Sequence, residues 1–250
     1  MWAANKVVAG VLEELRTLAA PGMTTAELDA AVEARVREAG GTPAFKGYRG
    51  YPATLCASVN DEVVHGIPSG RKLASGDLVS LDVGVLLDGY YGDSAITLGI
   101  GTISEEAAAL LRVTQEALEL GIAQARVGAR VSDIGHAVQR HVEEHGFSVV
   151  REFVGHGIGT KLHEEPQIPN YGEPGLGPRL AEGMVLAIEP MVNVGKAAVR
   201  VLADGWTAVT RDGSLSAHFE HTVAVTGDGP EVLTRRPSDV PSLAASTPPS

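Results

Sequence analysis

Two apolar runs joined by Asp88-Gly89 constrain the fold of this chain more than any other stretch. Asp-Gly between branched apolar runs is a strong signal for a two-residue hairpin turn, so residues 76–98 are predicted to form two antiparallel strands. Counting outward from the turn places Gly84 opposite Asp93, with Asp82 on the diagonal. Diagonal neighbours lie about 7 Å apart, and desolvating a carboxylate is expensive. The two aspartates therefore indicate either a solvent-exposed hairpin edge or a site for metal ions.

A second copy of the pattern favours the metal site. Glu189 follows an apolar run that repeats, position for position, the run before Asp82. Glu220 lies in a polar-then-apolar stretch that repeats the one around Asp93. Similarity over so long a period indicates two related halves about a pseudo-twofold axis rather than a solenoid of short repeats. We expect these four acids to converge on that axis.

The duplication extends to the predicted helices. A turn at Pro21-Gly22 precedes an amphipathic run that ends at Gly40, and a turn at Val127-Gly128 precedes a similar run that ends at Gly146. Thr24 and Glu27 form a capping-box pattern at the start of the first of these runs. Hydrophobic spacing predicts helices over residues 5–19, 24–39, 104–125 and 132–145.

Bulk composition excludes several classes of protein. The 250 residues are 44% hydrophobic, enough for a substantial core, and the net charge of -11 argues against nucleic-acid binding and electrostatic membrane attachment. A single cysteine, Cys56, permits no internal disulfide and fits a reducing compartment. No stretch is apolar enough to span a membrane, and the start lacks a signal-peptide pattern. We predict a cytoplasmic protein with one domain over residues 1–236 and a disordered Pro/Ser/Ala tail over 237–250.

A histidine between glycines completes a set of metal-binding groups. His156 follows an apolar run in Gly155-His156-Gly157, where the small neighbours allow close approach to the imidazole. Four carboxylates and this one imidazole carry a formal charge that two divalent cations could neutralise. Such oxygen-rich sites suit Mn, Fe or Co better than a thiolate zinc site does. Two ions close together can hold a bridging hydroxide and polarise a carbonyl, so amide hydrolysis is the expected chemistry.

These motifs resemble a known family. They are Asn60–Pro68, Leu81-Asp82-Val83, Gly92-Asp93, Gly155-His156-Gly157-Ile158-Gly159, His163-Glu164-Glu165-Pro166, Ile188-Glu189-Pro190-Met191 and Phe219-Glu220-His221-Thr222. Over about residues 5–236 the chain is similar to the type I, bacterial-class methionine aminopeptidases of the pita-bread metallopeptidases. The resemblance implies an α+β pita-bread fold, with two pseudo-symmetric α/β halves and a central curved antiparallel sheet covered by helices. That architecture agrees with the duplication.

The resemblance also implies a role for each site residue. Asp82 would chelate one ion, Asp93 and Glu220 would bridge both, and His156 with Glu189 would complete the second. Glu189 would in addition shuttle the proton of the bridging hydroxide. His65 and His163 would lie just outside the ions, bind the substrate amine or scissile amide, and stabilise the tetrahedral oxyanion.

The implied methionine pocket differs from the family pattern at one position. Its walls would be Tyr48, Tyr51, Cys56 and Trp206. The departure is Leu162, where relatives often carry an aromatic residue. The sequence therefore does not determine the lining of the pocket around Leu162.

The implied enzyme is a dinuclear-metal aminopeptidase. It would remove the initiator methionine from nascent polypeptides, by metal-hydroxide attack on the first peptide bond, when the second residue is small. Its partners would be nascent chain N-termini, compatible with association with the ribosome. We expect a monomer that binds neither nucleic acid nor membranes.

Three alternatives are weighed against this reading. A proline peptidase or a broader aminopeptidase of the same fold typically carries an additional N-terminal domain, which is not expected here. Type II methionine aminopeptidases carry a helical insertion between the histidine strand and the Glu189 equivalent, and the 33 positions from His156 to Glu189 are too few for it. A metal-free binding module is disfavoured because all five ligand positions are filled. The sequence does not choose among Mn, Fe and Co, because they share ligand preferences.

Overall fold

The structure is a computed structural model that describes residues 1–239, in which helices surround antiparallel sheets. The α-helices are α1 (Trp2–Leu18), α2 (Thr25–Glu38), α3 (Glu105–Gln124) and α4 (Val131–Glu144). The strands are β1 (Thr42–Pro43), β2 (Leu55–Val59), β3 (Glu62–Val64), β4 (Leu78–Leu87), β5 (Tyr90–Gly99), β6 (Ser148–Val149), β7 (Gly155–Gly157), β8 (Glu164–Ile168), β9 (Val185–Ile188), β10 (Met191–Asn193), β11 (Val199–Val201), β12 (Ala208–Thr210), β13 (Ser216–His218), β14 (His221–Thr226) and β15 (Gly229–Val232). Short 3-10 turns lie at Tyr48–Gly50 and Pro237–Asp239. The rest of the predicted tail, residues 240–250, lies outside the described residues.

All four predicted helices are confirmed to within a few residues. The largest difference is at α1, which begins at Trp2 rather than at residue 5. The capping box at the start of α2 is present: the Thr24 hydroxyl accepts from the Glu27 N–H at 3.2 Å, and Glu27 accepts from the Thr24 N–H at 2.8 Å. These two bonds satisfy backbone donors that a helix start otherwise leaves unpaired.

The predicted hairpin is confirmed in its register. β4 and β5 pair antiparallel with Leu87 opposite Tyr90 and Gly84 opposite Asp93. Both turn residues have positive φ, 51° at Asp88 and 79° at Gly89, as the common two-residue hairpin turn requires. β1 and β2 also pair with β4, so this hairpin forms the centre of the first sheet.

The second half repeats the arrangement with shorter strands. A five-stranded sheet has the order β15-β14-β9-β7-β8, and β9 pairs antiparallel with β14. Two three-stranded sheets, β13-β10-β6 and β11-β12-β3, complete the interior. The strand β3 comes from the first half of the chain and β12 from the second, so the halves share a sheet.

Hydrogen bonds between the β4-β5 hairpin and the segment at Glu220–Thr222 join the halves directly. The Glu220 N–H donates to the Ala95 carbonyl at 3.0 Å, and the Ser94 hydroxyl donates to the Glu220 carbonyl. The Thr222 hydroxyl donates to the Asp93 carbonyl at 2.7 Å. All of these groups are buried. The acid-bearing segments of the two halves are therefore fixed against each other through their backbones.

The helices cover the outside of the sheets. α1 packs on β4 and β5 through Val8, Leu12 and Leu15, which are buried in the main core cluster. α3 and α4 pack together on the second half, with Leu110, Ile134 and Val138 in the same cluster. Among the described residues, none of the helices combines the length and apolar character needed to cross a membrane.

Candidate metal centre

Each half contributes two acids from neighbouring strand segments. Asp82 and Asp93 lie in the paired strands β4 and β5, where Asp82 is opposite Ala95 and therefore diagonal to Asp93. Glu189 directly follows β9, and Glu220 lies between β13 and β14. His221, next to Glu220, is opposite Ile188, next to Glu189, so the second two acids are also close across a strand pair. Register thus determines which carboxylates meet.

His156 reaches the same place from the short strand β7. It pairs with Ala187 of β9, one strand away from the Glu220 segment. A Cβ atom at Gly155 would overlap the Ala187 carbonyl, and one at Gly157 would overlap the Glu165 carbonyl. The glycines around His156 are therefore required by the close neighbouring strands, a reason that the sequence reading did not identify.

The structure brings all of the predicted site residues to one cavity of about 160 Å³. They are Asp82, Asp93, His156, Glu189, Glu220, His65, His163, Tyr48, Tyr51, Cys56 and Trp206. Ligand atoms of Asp93, His156 and Glu220 lie within 4.8 Å of one another. His156 Nε2 lies 3.6 Å from Glu189 Oε1. The four acids share the cavity wall with aromatic and aliphatic side chains.

The acids raise one another's pKa values. Burial, followed by the charges of Glu220 and Asp82, raises the pKa of Asp93 well above its usual range. Burial, followed by Glu189 and Asp82, raises the pKa of Glu220 in the same way. Burial also raises the pKa of Glu189 and of Asp82. Four ionised carboxylates are unfavourable here unless positive charge lies between them.

Unpaired oxygens show that the donor set fits divalent cations. Asp82 Oδ1, Asp93 Oδ1 and Glu220 Oε1 are buried and have no hydrogen-bond partner. Buried polar atoms are normally paired, so these three oxygens indicate a bound group that accepts their lone pairs, as a metal cation does. Oxygen ligands with one imidazole suit hard to borderline divalent ions. The residues present therefore fit a metal centre of the predicted kind.

The histidines of the site remain neutral near pH 7. Burial lowers the pKa of His156 to about 4, with a smaller effect from His163. Burial likewise lowers the pKa of His65 to about 4. A neutral imidazole has a free lone pair for a metal ion and an N–H that can donate to a substrate.

His65 and His163 both line the cavity. His163 stacks on Tyr48, with its Nδ1 at 2.9 Å from the Tyr48 hydroxyl, and its ring centroid is 4.2 Å from that of His156. His65 contacts Phe153 and Trp206 edge-on and has a φ of 60°. A positive φ at a non-glycine residue is uncommon and is concentrated at functional sites.

Apolar side chains form the pocket beside the acids. The Tyr51 hydroxyl lies at 3.0 Å from the carbonyls of Leu55 and Gly66, and its ring meets Trp206 edge-on at 5.1 Å. Cys56 is buried, and burial followed by the Asp82 charge raises the pKa of its thiol. The thiol is therefore a pocket wall and not a nucleophile. Leu162, left open in the sequence reading, also lines the cavity and is buried.

Sequence reasoning missed three residues at the site. Phe45 and Arg49 line the cavity, and Phe45 packs over Gly84, where a Cβ would meet its ring. His218 lies behind Glu189, with Nε2 at 3.7 Å from Glu189 Oε2. His218 precedes Glu220 by two residues, but β13 ends at His218, so the alternation of side chains along a strand gave no signal for its place beside Glu189.

Two histidines of α4, His136 and His141, do not line the cavity. His141 Nε2 is 3.0 Å from Glu116 Oε2, in a group that includes His145. Arg112 also pairs with Glu116 at 3.0 Å. The His136 Nδ1 lies 3.1 Å from the Gly172 carbonyl. These contacts account for the two histidines as surface packing between α3, α4 and the loop at Gly172.

Comparison with known proteins identifies a family and close relatives. The model of metallopeptidase family M24 matches residues 1–227. The chain is 54% identical to a methionine aminopeptidase of Clostridium perfringens, over 92% of this chain and 93% of that one. It is 53% identical to methionine aminopeptidase 1 of Bacillus subtilis, over 93% of this chain and 94% of that one.

Solved structures have the same fold. A methionine aminopeptidase of Thermotoga maritima superimposes with a TM-score of 0.93 at 49% identity, covering 94% of this chain and 95% of that one. A prolidase of Pyrococcus furiosus, at 23% identity, has a TM-score of 0.75 and is covered over 62% of its length. The second comparison concerns the fold alone. Together these likenesses confirm the predicted pita-bread fold.

Proposed function

The chain belongs to the methionine aminopeptidases of metallopeptidase family M24, and from this premise we propose that it is a dinuclear-metal enzyme that removes the initiator methionine from nascent polypeptides. One observation carries the proposal. Side chains from both halves meet at one cavity, and three of their buried carboxylate oxygens have no partner. The apolar pocket beside these oxygens would accommodate the side chain of the N-terminal residue of a substrate peptide.

Five residues would hold the metal ions. Asp82 would bind one ion, Asp93 and Glu220 would bridge two, and His156 and Glu189 would bind the second. The grouping of Asp93, His156 and Glu220 within 4.8 Å, and the 3.6 Å separation between His156 and Glu189, support this division. When bound, two such ions supply a hydroxide at neutral pH and polarise the scissile carbonyl for its attack. Mn, Fe and Co all fit these donors.

Glu189 is the proposed proton shuttle. Its carboxylate lies at the edge of the acid group, with one oxygen toward His156 and the other toward His218. It would accept a proton from the attacking water and donate it to the leaving amide nitrogen. The raised pKa of this carboxyl, caused first by burial, favours holding a proton between the two transfers.

His163 and His65 would bind the substrate around the scissile bond. If the Tyr48 hydroxyl donates to His163 Nδ1, the proton of His163 is on Nε2, where it can donate to the developing oxyanion. His65, which also lines the cavity, would contact the amine or the scissile amide. Both imidazoles are neutral because their pKa values are lowered by burial, so they act as hydrogen-bond donors without adding charge.

The side-chain pocket suits methionine. Tyr51, Cys56, Leu162 and Trp206 form its apolar walls, with the partly buried Tyr48 packed against them. Methionine is unbranched and its sulfur makes favourable contacts with aromatic rings, so it fits an elongated, aromatic-lined pocket better than a branched side chain does. The partners would therefore be nascent chains with methionine first and a small second residue, in the cytoplasm.

The test combines metal analysis with two peptides. Protein purified without chelator should contain divalent metal, and protein reconstituted with Mn, Fe or Co should release methionine from Met-Ala-Ser but leave Xaa-Pro peptides intact. A protein without bound metal and without activity on Met-Ala-Ser would exclude the proposal. Cleavage of Xaa-Pro peptides alone would instead indicate a proline peptidase.

The proton-shuttle role has its own test. Glu189→Gln keeps the size of the side chain but cannot accept the proton, so turnover should fall by at least about 100-fold. The melting temperature should change little, because the amide fills the same space. Turnover at the wild-type rate in this variant would contradict the role assigned to Glu189.

A further inference from the structure

A buried imidazole nitrogen beside the metal centre is left unexplained by the proposed function. His218 Nε2 is buried, as are the three unpaired carboxylate oxygens, and it too has no hydrogen-bond partner. The cations account for the carboxylates but not for His218, which is outside the cavity lining. The acid nearest to it is Glu189, whose Oε2 lies at 3.7 Å. A buried N–H without an acceptor is expensive, so this position requires a reason.

The backbone of His218 is held in place from the other half of the molecule. The Thr97 hydroxyl donates to the His218 carbonyl at 2.7 Å and accepts from the His218 N–H at 2.9 Å. Thr97 is itself 2.8 Å from the Ser80 hydroxyl, and all three residues are buried. The imidazole is therefore attached to a rigid point, and it cannot move far from Glu189.

Glu189 stands between two imidazoles of different roles. Its Oε1 lies 3.6 Å from His156 Nε2, on the side of the proposed ions, and its Oε2 lies 3.7 Å from His218 Nε2. Its backbone carbonyl accepts from the Asn170 amide at 3.0 Å, so the main chain of Glu189 is held independently. The remaining freedom is rotation of the carboxylate, and His218 is placed to limit it.

We propose that His218 is a positioning residue, whose Nε2–H donates to Glu189 Oε2 and so directs Oε1 to the ion that it shares with His156. This inference rests on the proposed function, since it assigns Glu189 a metal contact and a proton-transfer role. A shift of less than 1 Å from the separation of 3.7 Å would bring the pair into hydrogen-bond range. Partners of this kind orient a metal ligand, and their loss typically weakens metal affinity or activity by about 10- to 100-fold.

A pair of substitutions separates the hydrogen bond from the packing. His218→Gln keeps an N–H donor at a similar reach, whereas His218→Met keeps the length and removes the donor. Metal-depleted protein is titrated with Co²⁺ by calorimetry, and the same variants are assayed on Met-Ala-Ser. For His218→Met, the affinity for one of two Co²⁺ ions should fall by about 10- to 100-fold. The kcat of His218→Met should fall by at least about 10-fold, with its KM within about twofold of wild type. For His218→Gln, both the Co²⁺ affinity and kcat should stay within about threefold of wild type.

Wild-type Co²⁺ affinity and kcat in a folded His218→Met protein would overturn the inference. So would a His218→Gln protein as impaired as His218→Met, because shape and not the donor would then matter. Failure of the proposed function gives a different result from failure of this inference. If the wild-type protein binds two Co²⁺ ions but leaves Met-Ala-Ser intact, the proposed substrate is wrong, and the titration still shows the effect of His218.

A measurement on the unaltered protein covers the case in which His218→Met does not fold. Long-range ¹H–¹⁵N spectra of the Zn²⁺-loaded protein report which ring nitrogen of each histidine carries the proton, and His218→Gln identifies the His218 signal by its absence. The proposal expects a proton on Nε2 that exchanges slowly with solvent. A proton on Nδ1 with Nε2 bare would refute it, since no donor would then face Glu189.

Discussion

At the scale of single residues, the site concentrates groups that a protein interior normally excludes. Asp93 and Glu220 are both buried, and the charge of Glu220 adds to burial in raising the pKa of Asp93. Such an arrangement is unfavourable to folding unless cations lie between the acids. Burial raises the pKa values of the acids and lowers those of the histidines. The two kinds of group therefore change the free energy of unfolding in different pH ranges.

We expect chelator-treated protein to lose stability as the pH rises from about 7 to 8. Burial raises the pKa of Asp82 to about 7, and burial with the charges of Glu220 and Asp82 raises the pKa of Asp93 well above its usual range, so the folded protein retains protons that the unfolded chain has released. Stability from such groups is lost as pH rises through the folded pKa. The pKa values of His65 and His156 are lowered to about 4. These histidines therefore add nothing to the slope of unfolding free energy against pH above the unfolded histidine pKa of about 6.5. Urea unfolding at each pH measures the change, at about 1.4 kcal/mol per pH unit per retained proton.

Matched variants check the origin of this slope. Asp93→Asn should flatten it, because one raised acid is removed. Asp212→Asn should leave it unchanged, since hydrogen bonds to the Lys196 N–H and Ser214 lower the pKa of Asp212 to about 2 and it is ionised in both states at these pH values. Loading with divalent ions should remove the slope as well. A slope that survives both Asp93→Asn and metal loading would mean that other groups produce it.

At the scale of secondary-structure elements, close packing between helix and hairpin positions the acids. α1 lies directly on β5 at Gly92, the residue before Asp93. A Cβ atom at Gly92 would lie 2.9 Å from both the backbone nitrogen and the Oδ1 atom of Asn5. Only glycine therefore allows α1 to lie this close, and the distance between helix and strand depends on one missing methyl group.

Gly92→Ala should destabilise the protein by about 1–3 kcal/mol, because α1 must move away from the hairpin. Gly10→Ala is the matched control, since it makes the same chemical change within α1 at a position with nothing within 4 Å. It should stabilise by about 0.5–1 kcal/mol through higher helix propensity. Urea denaturation of both variants decides the matter. Equal effects of the two changes would show that the contact at Gly92 is not tight.

At the scale of the whole molecule, the site is shared between the two halves of the chain. The bonds from Ser94 and Thr222 join β5 to the segment at Glu220–Thr222, and β3 pairs with β12 across the same division. A ligand that binds residues of both halves stabilises only the assembled molecule. Metal binding and folding of the two halves are therefore expected to be coupled.

Unfolding should be one cooperative transition over residues 1–236, as the sequence predicts for a single domain. In a Trp2→Phe background Trp206 is the remaining tryptophan, so its fluorescence reports the pocket while far-UV circular dichroism reports both halves. The two melting curves should coincide, and divalent ions should raise both midpoints together; ions at 100 times their dissociation constant add about 2.7 kcal/mol. Two separate transitions would show that the halves are independent domains.

Much of the fold could be predicted from local signals. The Asp88-Gly89 turn determines the register of β4 and β5, because two positive-φ residues are needed there and few other pairs supply them. The capping box at Thr24 determines the start of α2 in the same local way. The four candidate acids were found because the two halves repeat one pattern, and His156 was found because glycines flank it; the chain's resemblance to a family supplied their roles.

Other features depended on contacts between distant segments. The glycines beside His156 are explained by carbonyls of neighbouring strands, and Phe45 reaches the cavity only because it packs over Gly84. His218 precedes Glu220 by two residues, yet its position behind Glu189 depends on a strand that begins 33 residues earlier in the chain, at Val185. No local pattern specifies such a meeting.

The sequence alone determined the hairpin register, the helices, the pseudo-twofold duplication and the types of side chain available for metal binding. These depend on turn conformation, hydrophobic period and charge, which are properties of short segments. Only the tertiary structure decided which carboxylate oxygens lack partners, that Phe45 and Arg49 also line the cavity, and which imidazole faces Glu189 from behind. Those outcomes depend on distances of a few ångströms between segments far apart in the chain, because the packing of the whole molecule sets them.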